Sequence, residues 1–475
     1  MKQLILICLT ALSFSVNSMS QKPDIDIGDY SLFQTLWNLQ FPKNANAKVT
    51  EYDKERMLPL NLNDTSNSEY NPKTYGLWQT IELASETGAS CLDGSTYKFQ
   101  VLRRARTSNI AFVFQGGGFC WNKQGCRTAK TLLTPFTHFD QALEEIIRRV
   151  NPFSFPANPS FILPEHRIKT QDWNIVYLPY CSQDLFIGNS VIDDNENEKR
   201  HYKGLQNATS VVTWVKNNWQ KPGQMLITGS SAGGFGAILN YMSFRELLQP
   251  QKSYLLNDSG VITNITSQAL EDNYNDPIKN NLKIFNPDKV FTYFENNSES
   301  FERKNLSSIY KVLSEKYPDD RLALSAFKND AIVSTMYLLN DHEINRLPNQ
   351  EDRIKIRNKL YKKNIEEHLI PILDNLDNFG YYFPSYRNLI NSHTLNTIDF
   401  QNNNIEESNI RYKDFIDNIL IETGSMMKEQ EMDYYDEDLT RPIYGVPAML
   451  NVPFDIANNL LGFNLISIFE LYGDN

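Results

Sequence analysis

The sequence predicts an α/β domain with a mainly parallel sheet, and three observations carry that prediction. Between about residues 97 and 257, short apolar runs of strand character alternate with segments of helical period. Within that stretch, Met225-Leu226-Ile227 leads into Gly229-Ser230-Ser231-Ala232-Gly233-Gly234-Phe235-Gly236, and a helix-like segment begins at Ala237. Beyond it, from about 265 to 380, strand signals fade and Asn-, Lys- and Glu-rich helical stretches take over, which reads as a helical cap inserted into the domain.

Taken in order, residues 1–20 have the character of an export signal. Lys2 supplies a charge, Leu4 to Leu12 an apolar stretch, and Ser18-Met19-Ser20 a small-x-small cleavage site. The stretch is too short for a membrane span, and Ile7 before Cys8 does not fit a lipoprotein signal, so export without anchoring is expected. Residues 21–85 are polar and turn-rich and read as a segment wrapping the domain. Strands are then expected at 97–102, 110–114, 173–178, 225–227 and 253–257. From Gly204 to Trp219, Leu205, Ala208, Val211, Val212, Val215 and Trp219 recur at helical spacing and form one apolar stripe. A long helix is expected over 352–370, ended or kinked by Pro371. The acidic run 429–438 reads as a solvated linker, with calcium binding a distant second, and the broken apolar tail from 453 to 472 as a packed terminal helix in preference to a membrane segment.

Composition sets outer limits. A chain of 475 residues that is 41% hydrophobic can bury a full core. A net charge of -11 and a pI near 5.2 argue against nucleic acid or an anionic membrane as the main partner. Without the signal four cysteines are left: Cys91, Cys120, Cys126 and Cys181. An even count in an exported chain suggests two disulfides, for which three pairings exist. Cys120 and Cys126 are close enough to close a small loop, which leaves Cys91 with Cys181. No C-x-x-C appears, so neither a redox motif nor a cysteine zinc site is expected. Asn207 and Asn305 head Asn-x-Ser/Thr triplets that only a eukaryotic secretory pathway would glycosylate.

The chemistry gathers around Ser231. It alone has glycine two residues to either side, Gly229 and Gly233, the spacing of a nucleophile elbow on a strand-to-helix turn. The bland alternative is a Gly/Ser-rich connection between two core elements. Acyl transfer also needs a base, a group that orients it, and donors for the developing oxyanion. Gln115-Gly116-Gly117-Gly118-Phe119-Cys120 directly follows an apolar strand, and its glycines let backbone N–H groups approach a ligand. The amides of Gly117 and Gly118, with that of Ala232 after the nucleophile, are the candidate oxyanion donors. A phosphate loop is the rival, but no Lys-Ser/Thr follows. Asp258 ends the strand after the elbow, 27 residues beyond Ser231, and is the candidate acid. Among the histidines, His138, His166 and His201 precede the serine, His342 lacks the second histidine of a zinc helix, and His368 lies in the 352–370 helix. His393 remains, behind the strand candidate Tyr381-Tyr382-Phe383, and on chain order alone it is only somewhat favoured over His368 as the candidate base.

Six short pieces in this order resemble the pectin acetylesterase and Notum family of secreted serine hydrolases. They are Cys91-Leu92-Asp93-Gly94-Ser95, the loop from Gln115 to Cys120, the stretch from Pro179 to Gly188, the elbow from Gly229 to Gly236, Asp258-Ser259-Gly260, and Ser392-His393-Thr394-Leu395. The resemblance covers about half of the chain. It implies an α/β-hydrolase core, with Ser231, Asp258 and His393 as nucleophile, orienting acid and base, and the same pairing of Cys120 with Cys126 and Cys91 with Cys181. The expected organisation is a signal at 1–20, a wrapping segment at 21–85, the α/β-hydrolase domain at 86–425 with its helical insertion at about 265–380, and an acidic linker with an apolar helix at 426–475. Residues 180–188 look more like the Notum branch than the plant branch, while the insertion and the tail match neither. Phe119, Phe186 and Phe235 are candidates to line an acyl pocket.

The function expected from the sequence is therefore a secreted serine carboxylesterase that removes O-linked acyl groups, acetyl foremost, from a carbohydrate. The runner-up is removal of a longer acyl chain from a protein or lipid, and a non-catalytic binding module is the reading from another class. No metal or organic cofactor, no nucleic acid and no stable membrane insertion are expected.

Overall fold

The computed structural model describes residues 74–118, 138–141, 144, 148, 151, 153–154, 168–193, 199–263, 283–338, 342–385, 393–397, 404–405, 407–421 and 423–432. The export signal, most of the wrapping segment, Phe119, the pair Cys120 and Cys126, and the tail beyond 432 lie outside them.

Among the described residues, nine strands build the central sheet: β1 (Trp78–Glu82), β2 (Lys98–Leu102), β3 (Ile110–Phe114), β4 (Asn174–Leu178), β5 (Gln224–Ser230), β6 (Lys252–Asp258), β7 (Arg321–Ser325), β8 (Phe379–Phe383) and β9 (Lys428–Gln430). Their order is β1-β2-β4-β3-β5-β6-β7-β8-β9. The β1–β2 and β2–β4 pairs are antiparallel and all the others parallel. The mainly parallel α/β architecture expected from the sequence is the one observed.

A sheet covered on both faces needs strands that are apolar on both faces, which accounts for the unbroken runs in β3 and β4. Ile110, Phe112 and Phe114 of β3 point into one core with Met225, Ile227 and Leu255. Ala111 and Val113 point into a second core with Ile175, Leu226, Tyr254 and Ala323. The first core is roofed by α1 (Gly204–Asn218) and α2 (Ala232–Leu248). The second is closed by α7 (Tyr412–Ile419), through Phe415, Ile416 and Ile419. Between them come α3 (Asp288–Asn297), α4 (Ser308–Lys316), α5 (Ala331–Tyr337) and α6 (Gln350–Asn364).

Parallel register brings the C-terminal ends of the middle strands into one row. Ser230 lies opposite Asp258, Asp258 opposite Ser325, and Ser325 opposite Tyr382. The loops that leave β5, β6, β7 and β8 therefore start side by side, where an open parallel sheet presents its ligand crevice.

Three features differ from the sequence reading. The 265–380 stretch contains a core strand, β7, whose five residues Arg-Leu-Ala-Leu-Ser are too short to stand out among helices, so it is not a pure helical insertion. β1 lies inside the stretch read as wrapping, and residues 1–73 are outside the described set. The start of the acidic run is an edge strand, β9, and the fully buried Glu431 accepts the Ser385 amide at 2.7 Å instead of facing solvent. Pro371 does not end the helix, because it sits in the first turn of a resumed α-helical segment, where its missing N–H is tolerated. With no N–H at that position, α6 gives way to a π-helical turn at Ile365–Leu369 before the helix resumes at Ile370–Asp374.

Cys91 and Cys181 are disulfide-bonded across a sequence separation of 90, as spacing indicated. Asn207 is fully buried and exchanges two hydrogen bonds of 2.9 Å with the Ser90 backbone, which leaves it no freedom to carry a glycan in the folded chain.

Candidate active site

Ser231 stands between β5 and α2 with φ 58° and ψ -124°, a strained backbone for a residue with a side chain. Its neighbours hold it there. The Ser231 amide donates to the Asp258 carbonyl at 2.7 Å, and its own carbonyl accepts from Gly234 and Phe235 at 2.9 and 3.2 Å. The flanking glycines are a steric necessity. A Cβ on Gly229 would lie 2.3 Å from the Gly233 carbonyl oxygen, and one on Gly233 would lie 2.1 Å from that of Phe114. Strand and helix meet this closely only without those side chains, which is the physical content of the G-x-S-x-G spacing.

The glycine loop after β3 approaches the same point. Gln115 fixes its start, with its amide donating to Leu178 at 3.1 Å and its side-chain carbonyl accepting from Tyr180 at 2.6 Å. A Cβ on Gly116 would come 2.5 Å from the Ser230 carbonyl oxygen and 3.3 Å from the Ser231 Cβ. Gly118 has φ 73°, open to glycine at no cost. No described residue accepts from the backbone N–H of Gly117, Gly118 or Ala232.

His393 is buried, and its Nδ1 sits 2.7 Å from Asp330 Oδ2. Asp330 is itself immobilised, because its other oxygen caps α5 by accepting the Ile332 and Val333 amides, both at 2.9 Å. Burial acts to lower the His393 pKa, but the Asp330 charge and hydrogen bond, with Asp258 adding to them, raise it above the usual 6.5. A neutral imidazole bonded this way carries its proton on Nδ1 and keeps the Nε2 lone pair for an incoming proton.

Asp258 is not the carboxylate beside the imidazole, which corrects the sequence assignment. It is fully buried. Its Oδ1 accepts the Leu395 amide at 2.9 Å and the Ser325 and Ser259 hydroxyls at 3.2 and 3.3 Å. Its Oδ2 accepts the Asn396 amide at 3.0 Å. Burial pushes its pKa up against the pull of these donors. The loop carrying His393 thus hangs on the residue whose carbonyl holds the Ser231 amide. Asn396 closes the connection by donating from Nδ2 to Ser230 Oγ at 3.0 Å.

The other candidates sort by burial. His368 is exposed on the π-helical turn. Phe186 is wholly buried, stacked on Tyr180 at 4.8 Å and edge-on to Phe114 at 4.9 Å. Phe235 is 5% exposed and packs into the same core. Both rings pack in the core. Phe119 lies outside the described residues. Sequence reasoning missed Asp330, although a signal was present: an aspartate at the head of the short apolar segment Ala331–Tyr337, five residues after the hidden strand β7.

The profile of the pectinacetylesterase family matches residues 71–310, just over half of the chain. The palmitoleoyl-protein carboxylesterase NOTUM of Schmidtea mediterranea is 28% identical over 198 residues, which cover 39% of this chain and 34% of that protein. The human enzyme of the same name is 27% identical over 178 residues, covering 36% and 32%. The alignment thus spans about a third of the length of these curated relatives. Among solved structures, the Wnt deacylase Notum from Drosophila superposes with a TM-score of 0.49 at 18% identity, over 73% of this chain and 97% of that one.

Proposed function

The chain belongs to the pectinacetylesterase family, and from that premise we propose that it is an exported serine carboxylesterase with Ser231, His393 and Asp330 as its working triad. The observation that carries the reading is the joining of two features in one frame: the strained Ser231 elbow and the His393–Asp330 pair at 2.7 Å. A binding module has no use for that combination. The disulfide between Cys91 and Cys181 supports export to an oxidising compartment.

In this reading Ser231 Oγ attacks the ester carbonyl carbon and His393 Nε2 takes its proton. Asp330 holds the ring in the Nδ1-protonated tautomer and stabilises the imidazolium. The amides of Gly117, Gly118 and Ala232 donate to the oxyanion, in a site built before substrate arrives. Collapse of the intermediate expels the alcohol, which receives the proton from His393, and leaves an acyl-serine. Water activated by the same imidazole then releases the carboxylic acid.

Acetyl on a carbohydrate is the substrate the family description favours. A second reading, removal of a longer acyl chain from a protein, is favoured by the activity named for the curated relatives. Hydrolysis of p-nitrophenyl esters from acetyl to palmitoyl separates the two, with covalent labelling of Ser231 by a fluorophosphonate as a substrate-independent check. An acetyl optimum supports the first reading and a medium- or long-chain optimum the second. The absence of both turnover and labelling would overturn the esterase proposal itself.

A further inference from the structure

Beneath the triad, hydrogen bonds link one residue from each segment that carries a triad member. Asp258 Oδ1 accepts from Ser325 Oγ at 3.2 Å, and Ser325 Oγ meets the Tyr412 hydroxyl at 2.9 Å. Tyr412 donates to Asn396 Oδ1 at 3.0 Å, and the Asn396 amide returns to Asp258 Oδ2 at 3.0 Å. A spur from Asn396 Nδ2 reaches Ser230. Ser230 precedes the nucleophile, Ser325 ends the strand that leads to Asp330, and Asn396 lies three residues beyond the base. All five side chains are buried. The two hydroxyls carry one proton each, so two of the three contacts Asp258–Ser325, Ser325–Tyr412 and Tyr412–Asn396 are hydrogen bonds at a time, and with water excluded the loss of either hydroxyl leaves an acceptor unpaired.

We propose that Asp258 is the positioning residue of this site: its carboxylate sets the height and tilt of the His393 loop against the nucleophile strand, and its charge lies on the imidazole side of the fold. The inference rests on the esterase reading above and adds a role that acid, base and nucleophile do not cover. The geometry argues against a merely structural buried aspartate. A structural carboxylate need only be satisfied, whereas this one spends both oxygens on the two amides that follow the base by two and three residues, while its backbone carbonyl holds the nucleophile's amide. The ionisable groups that bear on it are His393 and the Tyr412 hydroxyl, and His393 in turn sees Asp330 and Asp258.

The test is Asp258→Asn, assayed on the best p-nitrophenyl ester and normalised to the fraction of Ser231 that a fluorophosphonate labels. An asparagine must turn an NH₂ towards one of the two amide donors, so the loop shifts. The expected result is a loss of kcat of roughly 10- to 100-fold per labelled site, the cost of misplacing a catalytic group by about an ångström, with KM little changed. The acid limb of the pH–rate profile should also move to lower pH, since the imidazolium loses a neighbouring negative charge. Should Asp258→Asn not fold, Tyr412→Phe carries the test, because its ring still packs on Tyr382 and Phe415 while the hydroxyl that holds Asn396 is gone. It should lose kcat about threefold to tenfold per labelled site. Wild-type kcat per labelled site in both variants, or in Tyr412→Phe alone if the other is unfolded, overturns the positioning role and leaves the esterase reading standing. A wild-type protein that neither labels nor turns over overturns both.

Discussion

The two halves of the proposed catalytic apparatus are built by different means. The nucleophile half, from β3 through α2, is held by backbone: glycines at 116, 229 and 233 whose missing Cβ atoms let chain segments touch, and a serine at φ 58° between them. The acid–base half, from β6 through α7, is held by side chains reaching across long sequence gaps, such as Asp330 to His393 and Asp258 to Leu395 and Asn396. Backbone devices leave a local imprint in sequence, since only glycine fits. Side-chain devices leave single aspartates and asparagines that look like any others. The first half therefore tolerates almost no substitution at its glycines, while the second fails by degrees as bonds are removed.

The largest expected effect comes from the shared point of the two halves. Ser231→Ala should lower kcat by about 10⁶-fold with an unchanged melting temperature; a variant that still turns over would place the nucleophile elsewhere. His393→Ala should cost about as much, whereas the exposed His368→Ala should match wild type, measured on the same ester. Asp330→Asn comes next, at about 10⁴-fold, because the amide favours the wrong imidazole tautomer. Asp258→Asn should cost far less, and equal losses for the two aspartates would erase the distinction drawn between them. Gly116→Ala probes the backbone half, where the new Cβ presses on the Ser230 carbonyl and displaces the oxyanion loop, with a loss of about 10²-fold in kcat. Smallest for activity is Cys91→Ser with Cys181→Ser, which should leave kcat intact but cost about 2–4 kcal/mol in denaturant unfolding.

The raised His393 pKa carries a pH signature of its own. Activity should fall as pH drops through a value above 6.5, where imidazolium can no longer accept the serine proton, and Asp330→Asn should move that limb down. For stability the dependence runs the other way. The protonated His393–Asp330 pair favours the fold fully below pH 6.5, and that contribution is lost as pH rises through the raised value. Rate profiles and chemical denaturation at matched pH values separate the two.

What could be read from the sequence follows the same division. The sheet strands β3 to β6 and helix α1 are visible because burial on both faces, or on one stripe, writes itself into consecutive apolar residues. The elbow and the oxyanion loop are visible because steric exclusion demands glycine. His393 is legible through chain order, the strand candidate Tyr381–Phe383 before it, and the resemblance. Asp330 was missed because β7, the strand that delivers it, is five residues long and sits among helices, so the stretch read as an insertion. Asp258 was chosen for its place at a strand end, and that place is real. It faces backbone amides because the His393 loop folds over it, a tertiary fact that no spacing encodes.

The distance along the chain between the two halves also sets an order in time. Synthesis delivers Ser231 and its elbow well before Asp330, and Asp330 well before His393. At about 5–20 residues per second the base follows the nucleophile by roughly ten to thirty seconds. A nascent chain, or one released before residue 393, therefore presents an elbow with no partner to take its proton. If the proposed triad holds, hydrolytic competence would arrive only when the last parallel strands join the sheet, and completion of the fold would itself be the activation step.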